Sequence, residues 1–169
     1  MKMQQTTYNE LNSLLRKSFD CNAQADNFAY NIDYARYPNI GNIYHHSFAH
    51  VFPALADQIS DLMLKLNARP IREALNKYEA EYMDLKDLFI DNDRMTEDYR
   101  QSIKKVIDIA DLNNDYEVRI FMENFLLDFL PYVKQSDMWR SFAERYQNDP
   151  MGFDVHFEEL TTFIPIKKD

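Results

Sequence analysis

Four side chains on one predicted helix are of the types that bind metal ions: His46, His50, Asp57 and Asp61. They lie within residues 42–66, where apolar side chains recur at helical spacing. At about 100° per residue, the four fall in a stripe roughly 60° wide that lies nearly opposite the apolar face. Two carboxylates one turn apart can share a cation, and imidazoles suit iron or zinc. The spacing therefore predicts metal ligands that point away from the core.

One copy of this helix cannot gather all four ligands around a single ion. His46 and Asp61 would lie roughly 22 Å apart at 1.5 Å per residue. A facing, antiparallel second copy could bring His46 of one chain near Asp57 or Asp61 of the other. The alternative is a solvated helix face that binds no metal. Pro53 affects both interpretations, because it lacks an N–H and crowds the carbonyl of Ala49. If the helix breaks there, the two histidines and the two aspartates no longer share a face.

Composition bounds the class of protein. A chain of 169 residues is one domain with a sizeable core, and two glycines favour an all-α fold. Nineteen basic and 28 acidic residues give a net charge of −9, which opposes binding to nucleic acid. The only cysteine, Cys21, excludes an internal disulfide and favours a cytoplasmic protein in which it is a packing residue. No stretch has the length and apolarity of a membrane span.

Helical periodicity predicts five helical segments, over residues 8–30, 42–66, 71–89, 96–112 and 116–146. Thr7 and Glu10 have the spacing of a capping box for the first segment. Asp93 or Thr96 is placed to cap the fourth segment, and Asp115 to cap the fifth. The second and third segments end or begin near prolines and polar turns, as helices commonly do.

The order and lengths of these segments predict an architecture. Four long helices, with the middle connection carrying a short extra helix, favour an up-down-down-up four-helix bundle over residues 1–147. Pro131 is expected to kink the last long helix. Residues 148–169 form a C-terminal tail, with a short helix and an extended arm of the kind that docks on a partner subunit.

Three segments, LNSLL, LNARP and NNDYEV, together with the order of the helices, resemble the Dps-type miniferritins of the ferritin-like superfamily. The resemblance covers roughly residues 8–146. It implies a four-helix bundle, a twofold dimer interface and a twelve-subunit shell that stores iron. In that family an iron-oxidising site lies at the dimer interface. The site is formed by a histidine of the first helix, by a His and an Asp one turn apart early in the second helix, and by two carboxylates one turn apart later in the second helix.

The resemblance assigns these ligands only in part to this chain. The later pair of carboxylates falls on Asp57 and Asp61. The earlier pair falls on Asn42 and His46, and asparagine is a poor metal ligand. The first-helix position falls near residues 29–30, and the first helix contains no histidine. The ferroxidase ligand set is therefore incomplete, and the resemblance implies metal binding without securing oxidation.

Three functional hypotheses follow. The first is a homo-oligomeric protein that binds iron or another divalent metal between subunits through His46, Asp57 and Asp61, with His50 or His45 as a substitute ligand. Fe(II) would pass electrons to peroxide or oxygen and leave ferric mineral inside the shell. The second is a binding or structural protein of the same fold whose metal site has been lost. The third is a monomeric enzyme with a pocket beside Pro131. A di-iron centre inside the bundle is disfavoured, because the chain has no Glu-x-x-His sequence.

Overall fold

A computed structural model describes residues 1–169 as an all-α chain. Residues His45–Ala49 form a π-helical turn that joins the α-helices of residues 38–44 and 51–65. Residues 38–65 together therefore make one long helical element, here called the second helix. The α-helices are α1 (Gln5–Tyr34), α2 (Pro38–Tyr44), α3 (Val51–Lys65), α4 (Leu85–Leu112), α5 (Tyr116–Arg145) and α6 (Pro150–His156).

The long connection between α3 and α4, residues 66–84, sets the direction of the helices. Near the start of α1, the Tyr8 hydroxyl donates to the carbonyl of Arg69 at 2.8 Å. Near the end of α1, the Asn31 amide donates to the carbonyl of Ala80 at 3.0 Å. The connection, here called the crossover, therefore runs the length of the bundle, and the second helix and α4 point the same way. The predicted four-helix bundle with up-down-down-up order is confirmed.

The crossover is extended where an additional helix was expected. Residues 68–84 form no helix, and the predicted segment 71–89 becomes helical only at Leu85. Polar side chains of α1 bind the backbone of the crossover: Asn12 accepts from the Ile71 N–H at 2.9 Å, and Arg16 donates to the Ala74 carbonyl at 3.2 Å. These side chains satisfy backbone groups of the crossover, so the crossover does not depend on helical hydrogen bonds of its own.

The fourth helix is one continuous element where two were expected. The charged sequence of residues 91–94 lies inside α4, and Asp84 caps the helix by accepting from the Asp87 N–H at 2.8 Å. Asn92 is fully buried within this stretch. Its side chain accepts from the Tyr44 hydroxyl at 2.7 Å and donates to Ser136 at 2.9 Å. These bonds tie α4 to the second helix and to α5, so the polar run does not end the helix.

Two expected caps were also wrong. The helix α1 begins at Gln5, so Thr7 lies inside it and forms no capping box. Asp115 makes no side-chain cap for α5. Instead its carboxylate accepts hydrogen bonds from the Gln4 N–H at 3.1 Å and from the Thr7 hydroxyl. Asp115 therefore stabilises the start of α1, an N-terminus whose free N–H groups favour a negative charge.

The second helix is interrupted where a regular helix over residues 42–66 was expected. The His50 N–H donates to the His45 carbonyl at 3.3 Å, a bond that spans five residues. The helix α3 begins at Val51, so Pro53 lies in its first turn, where the missing N–H needs no intrahelical partner. The π-helical turn adds one residue, which rotates the preceding residues by about 100° relative to a regular helix.

Aromatic rings fill the centre of the bundle. The ring centroids of Phe48 and Trp139 lie 5.4 Å apart, and those of Tyr99 and Phe129 lie 5.0 Å apart. Both pairs join different helices, at distances typical of favourable ring contacts. The fully buried rings of this core are Phe28, Tyr44, Phe48, Phe52, Phe89, Tyr99, Phe129, Trp139, Phe153 and Phe157.

The C-terminal tail packs against its own bundle. Phe153 and Phe157 are fully buried, and the Trp139 indole donates to Thr161 at 3.1 Å. Farther along, the Ser47 hydroxyl accepts from the Lys167 N–H at 2.8 Å and donates to its carbonyl at 2.9 Å. The tail thus contributes two rings to the core and binds the π-helical turn through backbone groups.

Replacing Asn92 with alanine should destabilise the fold strongly. The change leaves the buried hydroxyls of Tyr44 and Ser136 without their partner, and a buried polar group without a partner costs about 1–3 kcal/mol. We expect Asn92→Ala to lower the free energy of unfolding by about 3 kcal/mol, measured by urea denaturation. The exposed Asn124→Ala is the control and should change it by less than about 0.5 kcal/mol. Equal effects of the two variants would contradict the assigned role of Asn92.

Candidate functional site

The π-helical turn gathers three imidazole rings, here called the histidine cluster: His45, His46 and His50. The ring centroids of His45 and His50 lie 4.6 Å apart, those of His45 and His46 5.0 Å, and those of His46 and His50 5.3 Å. His45 and His46 are half-buried, and His50 is exposed. The cluster lies at the surface of the second helix, so solvent reaches it.

Asp26 of α1 faces the histidine cluster, a contact that the sequence analysis missed. Its Oδ1 lies 3.7 Å from Nε2 of His45. Partial burial raises the pKa of Asp26, while the nearby His45 and His50 act in the opposite direction. The available signal was the small, close-packing stretch of α1 around Asp26, because Cys21 and Ala25 are both buried there.

His50 is held in its neutral form more strongly than an isolated histidine. Desolvation lowers its pKa, and the neighbouring His45, His46 and Lys167 add to that effect, while Asp26 opposes it. A neutral imidazole has a free ring nitrogen that can bind a metal ion. The environment of His50 therefore favours the form that acts as a ligand.

Asp57 and Asp61 lie on α3, both exposed and one helical turn apart. No side chain of the chain forms an ion pair or a hydrogen bond with either carboxylate. An exposed pair of carboxylates without a partner can bind a cation from outside at little desolvation cost. These two residues have the arrangement that the sequence predicts for them.

The structure brings the four predicted ligands together only in pairs. His46 and His50 share the histidine cluster before α3, and Asp57 and Asp61 share the later face of α3. Because the π-helical turn separates the pairs, the single stripe expected from a regular helix does not describe them. Within one chain, no group of three or more His, Cys, Asp or Glu side chains is placed to hold a metal ion.

The remaining family-matched positions are engaged elsewhere or lack a ligand. Asn42 is half-buried, and its side-chain oxygen accepts from the Asp169 N–H at 3.0 Å. On α1, Ala29 is fully buried, and Tyr30 is 62% exposed. Neither an alanine nor a tyrosine side chain is a usual ligand for a divalent ion. The first helix instead offers Asp26, one turn earlier, which faces the histidines of its own chain.

The centre of the bundle does not fit a di-iron site. Such a site needs inward carboxylates and imidazoles from several helices. Asp154 is the only acidic side chain among the buried residues, and it is already bound to the N–H of Ile40 at 2.9 Å and to Asn39 at 3.2 Å. Tyr44, Phe48 and Trp139 are among the rings that fill the interior instead.

The fold defines the class first: an all-α, up-down-down-up four-helix bundle with a crossover that runs the length of the bundle. Residues 8–145 match the family model described as Ferritin, a ferritin-like domain. This match covers most of the chain, so the chain belongs to the ferritin-like family. The comparison with curated proteins gives no match. None of the helices is long and apolar enough to span a lipid bilayer.

The lowered pKa of His50 predicts a pH dependence of stability in the metal-free protein. An unfolded histidine titrates near pH 6.5, so between that value and the lower folded pKa the unfolded chain binds more protons. The free energy of unfolding should therefore fall as pH decreases below about 6.5. His50→Gln should reduce this slope, measured by urea denaturation in the presence of a chelator. His156→Gln, at another exposed histidine, is the control; equal slopes in the His50→Gln and unaltered proteins would contradict the assignment.

Proposed function

We propose that this ferritin-like chain is a Dps-like protein that binds iron, or another divalent metal, at a site shared by two subunits. The proposed ligands are His46, His50, Asp57 and Asp61. The observation that supports this most is the exposed pair Asp57 and Asp61, whose carboxylates have no partner within the chain. The histidine cluster lies on the same long element and adds exposed imidazole.

A second copy supplies what one chain lacks. Along the second helix, the two histidines precede the two aspartates. An antiparallel second copy of this helix therefore places the histidines of one chain opposite the aspartates of the other. Two carboxylates with one or two imidazoles form a mixed oxygen and nitrogen set that suits iron and zinc. The protein is therefore at least a homodimer in this proposal, and a twelve-subunit shell is its largest expected form.

In this proposal iron is the substrate and the cargo of the protein. Fe(II) binds the carboxylates, gives its electrons to peroxide or oxygen, and is stored as ferric mineral in the shell. The net charge of −9 favours the approach of cations. Cys21 is 1% exposed, and burial raises the pKa of its thiol to about 12, so it stays protonated and unreactive. These properties suit a protein of the cytoplasm.

The second candidate is a binding or structural protein of the same fold without metal chemistry. Two observations favour it: Ala29 is buried at the first-helix ligand position, and Asn42 is engaged by the backbone of Asp169. Under this candidate, the exposed carboxylates of Asp57 and Asp61 are a solvated helix face. The two candidates differ in their response to Fe(II), so one titration separates them.

Replacing both carboxylates should weaken iron binding strongly. We expect the unaltered protein to bind Fe(II) under anaerobic calorimetry and to accelerate its oxidation by peroxide. The double variant Asp57→Asn with Asp61→Asn should weaken binding by about tenfold or more, because even the loss of a group that only supports a metal ligand commonly costs about tenfold. The matched control replaces the exposed Asp108 and Asp128 with asparagine and should leave binding unchanged.

The same titration can remove the metal hypothesis. If the unaltered protein, the double variant and the control all show equal, negligible binding and oxidation, the chain is a ferritin-like protein without this site. A loss of binding in the control as large as in the double variant would show that general negative charge attracts the ions, and would also contradict the proposed site.

A further inference from the structure

The outward face of α5 carries a regular stripe, here called the α5 stripe. Its positions are spaced four and three residues apart alternately, as in the seam of a coiled coil. The apolar members are exposed: Leu127 by 61%, Tyr116 and Ile120 by 53% each and Leu130 by 38%. The six residues of the α5 stripe are Tyr116, Ile120, Glu123, Leu127, Leu130 and Lys134.

The α5 stripe lies opposite the side of α5 that packs into the bundle. Val118, Met122, Phe125 and Phe129 are buried and fall about 180° from the stripe at 100° per residue. The bundle already satisfies α5 through its inner face. A contiguous exposed apolar patch on a helix that is otherwise well packed commonly marks a contact with another molecule.

The charged members of the α5 stripe indicate which molecule covers it. Glu123 and Lys134 flank Leu127 and Leu130 symmetrically along the helix, one residue of each sign at either end. We propose that the α5 stripe packs antiparallel against the α5 stripe of a second copy of this chain about a twofold axis. With Leu127 opposite Leu130 of the second copy, Glu123 lies opposite Lys134 of the second copy. Each of the four inner layers of the contact then pairs a leucine with a leucine or a carboxylate with an ammonium group.

Other pairings of the same stripe leave charges unmatched. A parallel pair places Glu123 opposite Glu123 and Lys134 opposite Lys134 of the second copy. An antiparallel pair shifted by one heptad places Glu123 opposite Leu127 of the second copy, so two carboxylates lie against leucines at the centre. Like charges in contact, or a carboxylate buried without a partner, are unfavourable. The arrangement centred between Leu127 and Leu130 avoids both.

The present contacts of the charged residues permit this pairing. Glu123 lies 3.7 Å from Arg119 in a half-exposed ion pair. Such surface pairs contribute little to stability, so Glu123 can turn to a new partner at little cost. Lys134 lies 5.7 Å from the centre of the Phe163 ring, which is itself 43% exposed. Phe163 therefore extends the apolar surface at the end of the stripe.

This interface is independent of metal binding. It lies on α5, whereas Asp57 and Asp61 lie on α3 and the histidine cluster precedes α3. Two different twofold interfaces on one chain build assemblies larger than a dimer. The α5 contact is therefore tested in metal-free buffer.

Charge exchange at the two ends of the contact tests the pairing. We expect Glu123→Lys and Lys134→Glu each to weaken association by about tenfold, because each change puts like charges opposite one another. The combined variant restores opposite charges and should recover association. Sedimentation equilibrium of the full chain over a range of concentrations gives the dissociation constants. Asn124→Lys, on the neighbouring face of α5, is the control and should leave association unchanged.

A disulfide between copies tests the direction and register separately. A mixture of Leu127→Cys and Leu130→Cys proteins should form the mixed disulfide on mild oxidation, and the buried Cys21 does not compete. Charge exchange that fails to restore association, a mixed disulfide no more frequent than random collision gives, or a chain that is monomeric at all concentrations would each overturn the proposal. Circular dichroism checks that every variant is folded.

Discussion

A proline in the second helix is the constraint from which the candidate site derives. Pro53 has no N–H to bond the carbonyl four residues earlier, and its ring crowds that carbonyl in a regular helix. The chain places a π-helical turn at His45–Ala49 and begins α3 at Val51, so Pro53 falls within a first turn. Because the widened turn changes the direction of the side chains, three imidazoles come within 5.3 Å of one another. A regular helix at this place would keep His46 and His50 on one face but would turn His45 about 140° away from His50.

Hydrogen bonds between polar side chains and backbone groups hold the crossover and the C-terminal tail against the bundle. The crossover lies on α1 through the side chains of Asn12, Arg16 and Asn31, and the tail binds the π-helical turn through Ser47. These hydrogen bonds hold in place long segments that lack regular secondary structure. The segments in turn cover other surfaces of the helices. The exposed carboxylates of α3 and the α5 stripe are left uncovered. The chain therefore offers one charged surface and one apolar surface to further molecules.

Helical periodicity predicted the four-helix bundle, the up-down-down-up order of its helices and most of its core, because burial of an apolar face repeats every 3.6 residues. It could not predict the extended crossover, because residues 71–84 have helical spacing. The contacts that favour extension come from another helix, through side chains such as Asn12, Arg16 and Asn31. It also placed caps at Thr7 and Asp115, whose polar groups bond to each other instead. Sequence spacing did predict that Asp57 and Asp61 lie one turn apart on an exposed helix face, because this arrangement depends on one regular helix. It missed Asp26 beside His45, because that contact joins two helices.

We propose that a second copy of this ferritin-like chain completes the metal site. Anomalous diffraction from crystals grown with Fe(II) or Zn(II) tests it most directly, because the ion and its ligands are located together. We expect a peak bound by Asp57 or Asp61 of one chain and by His46 or His50 of another. A peak whose ligands all come from one chain, or a saturated crystal without a peak at these residues, would contradict it.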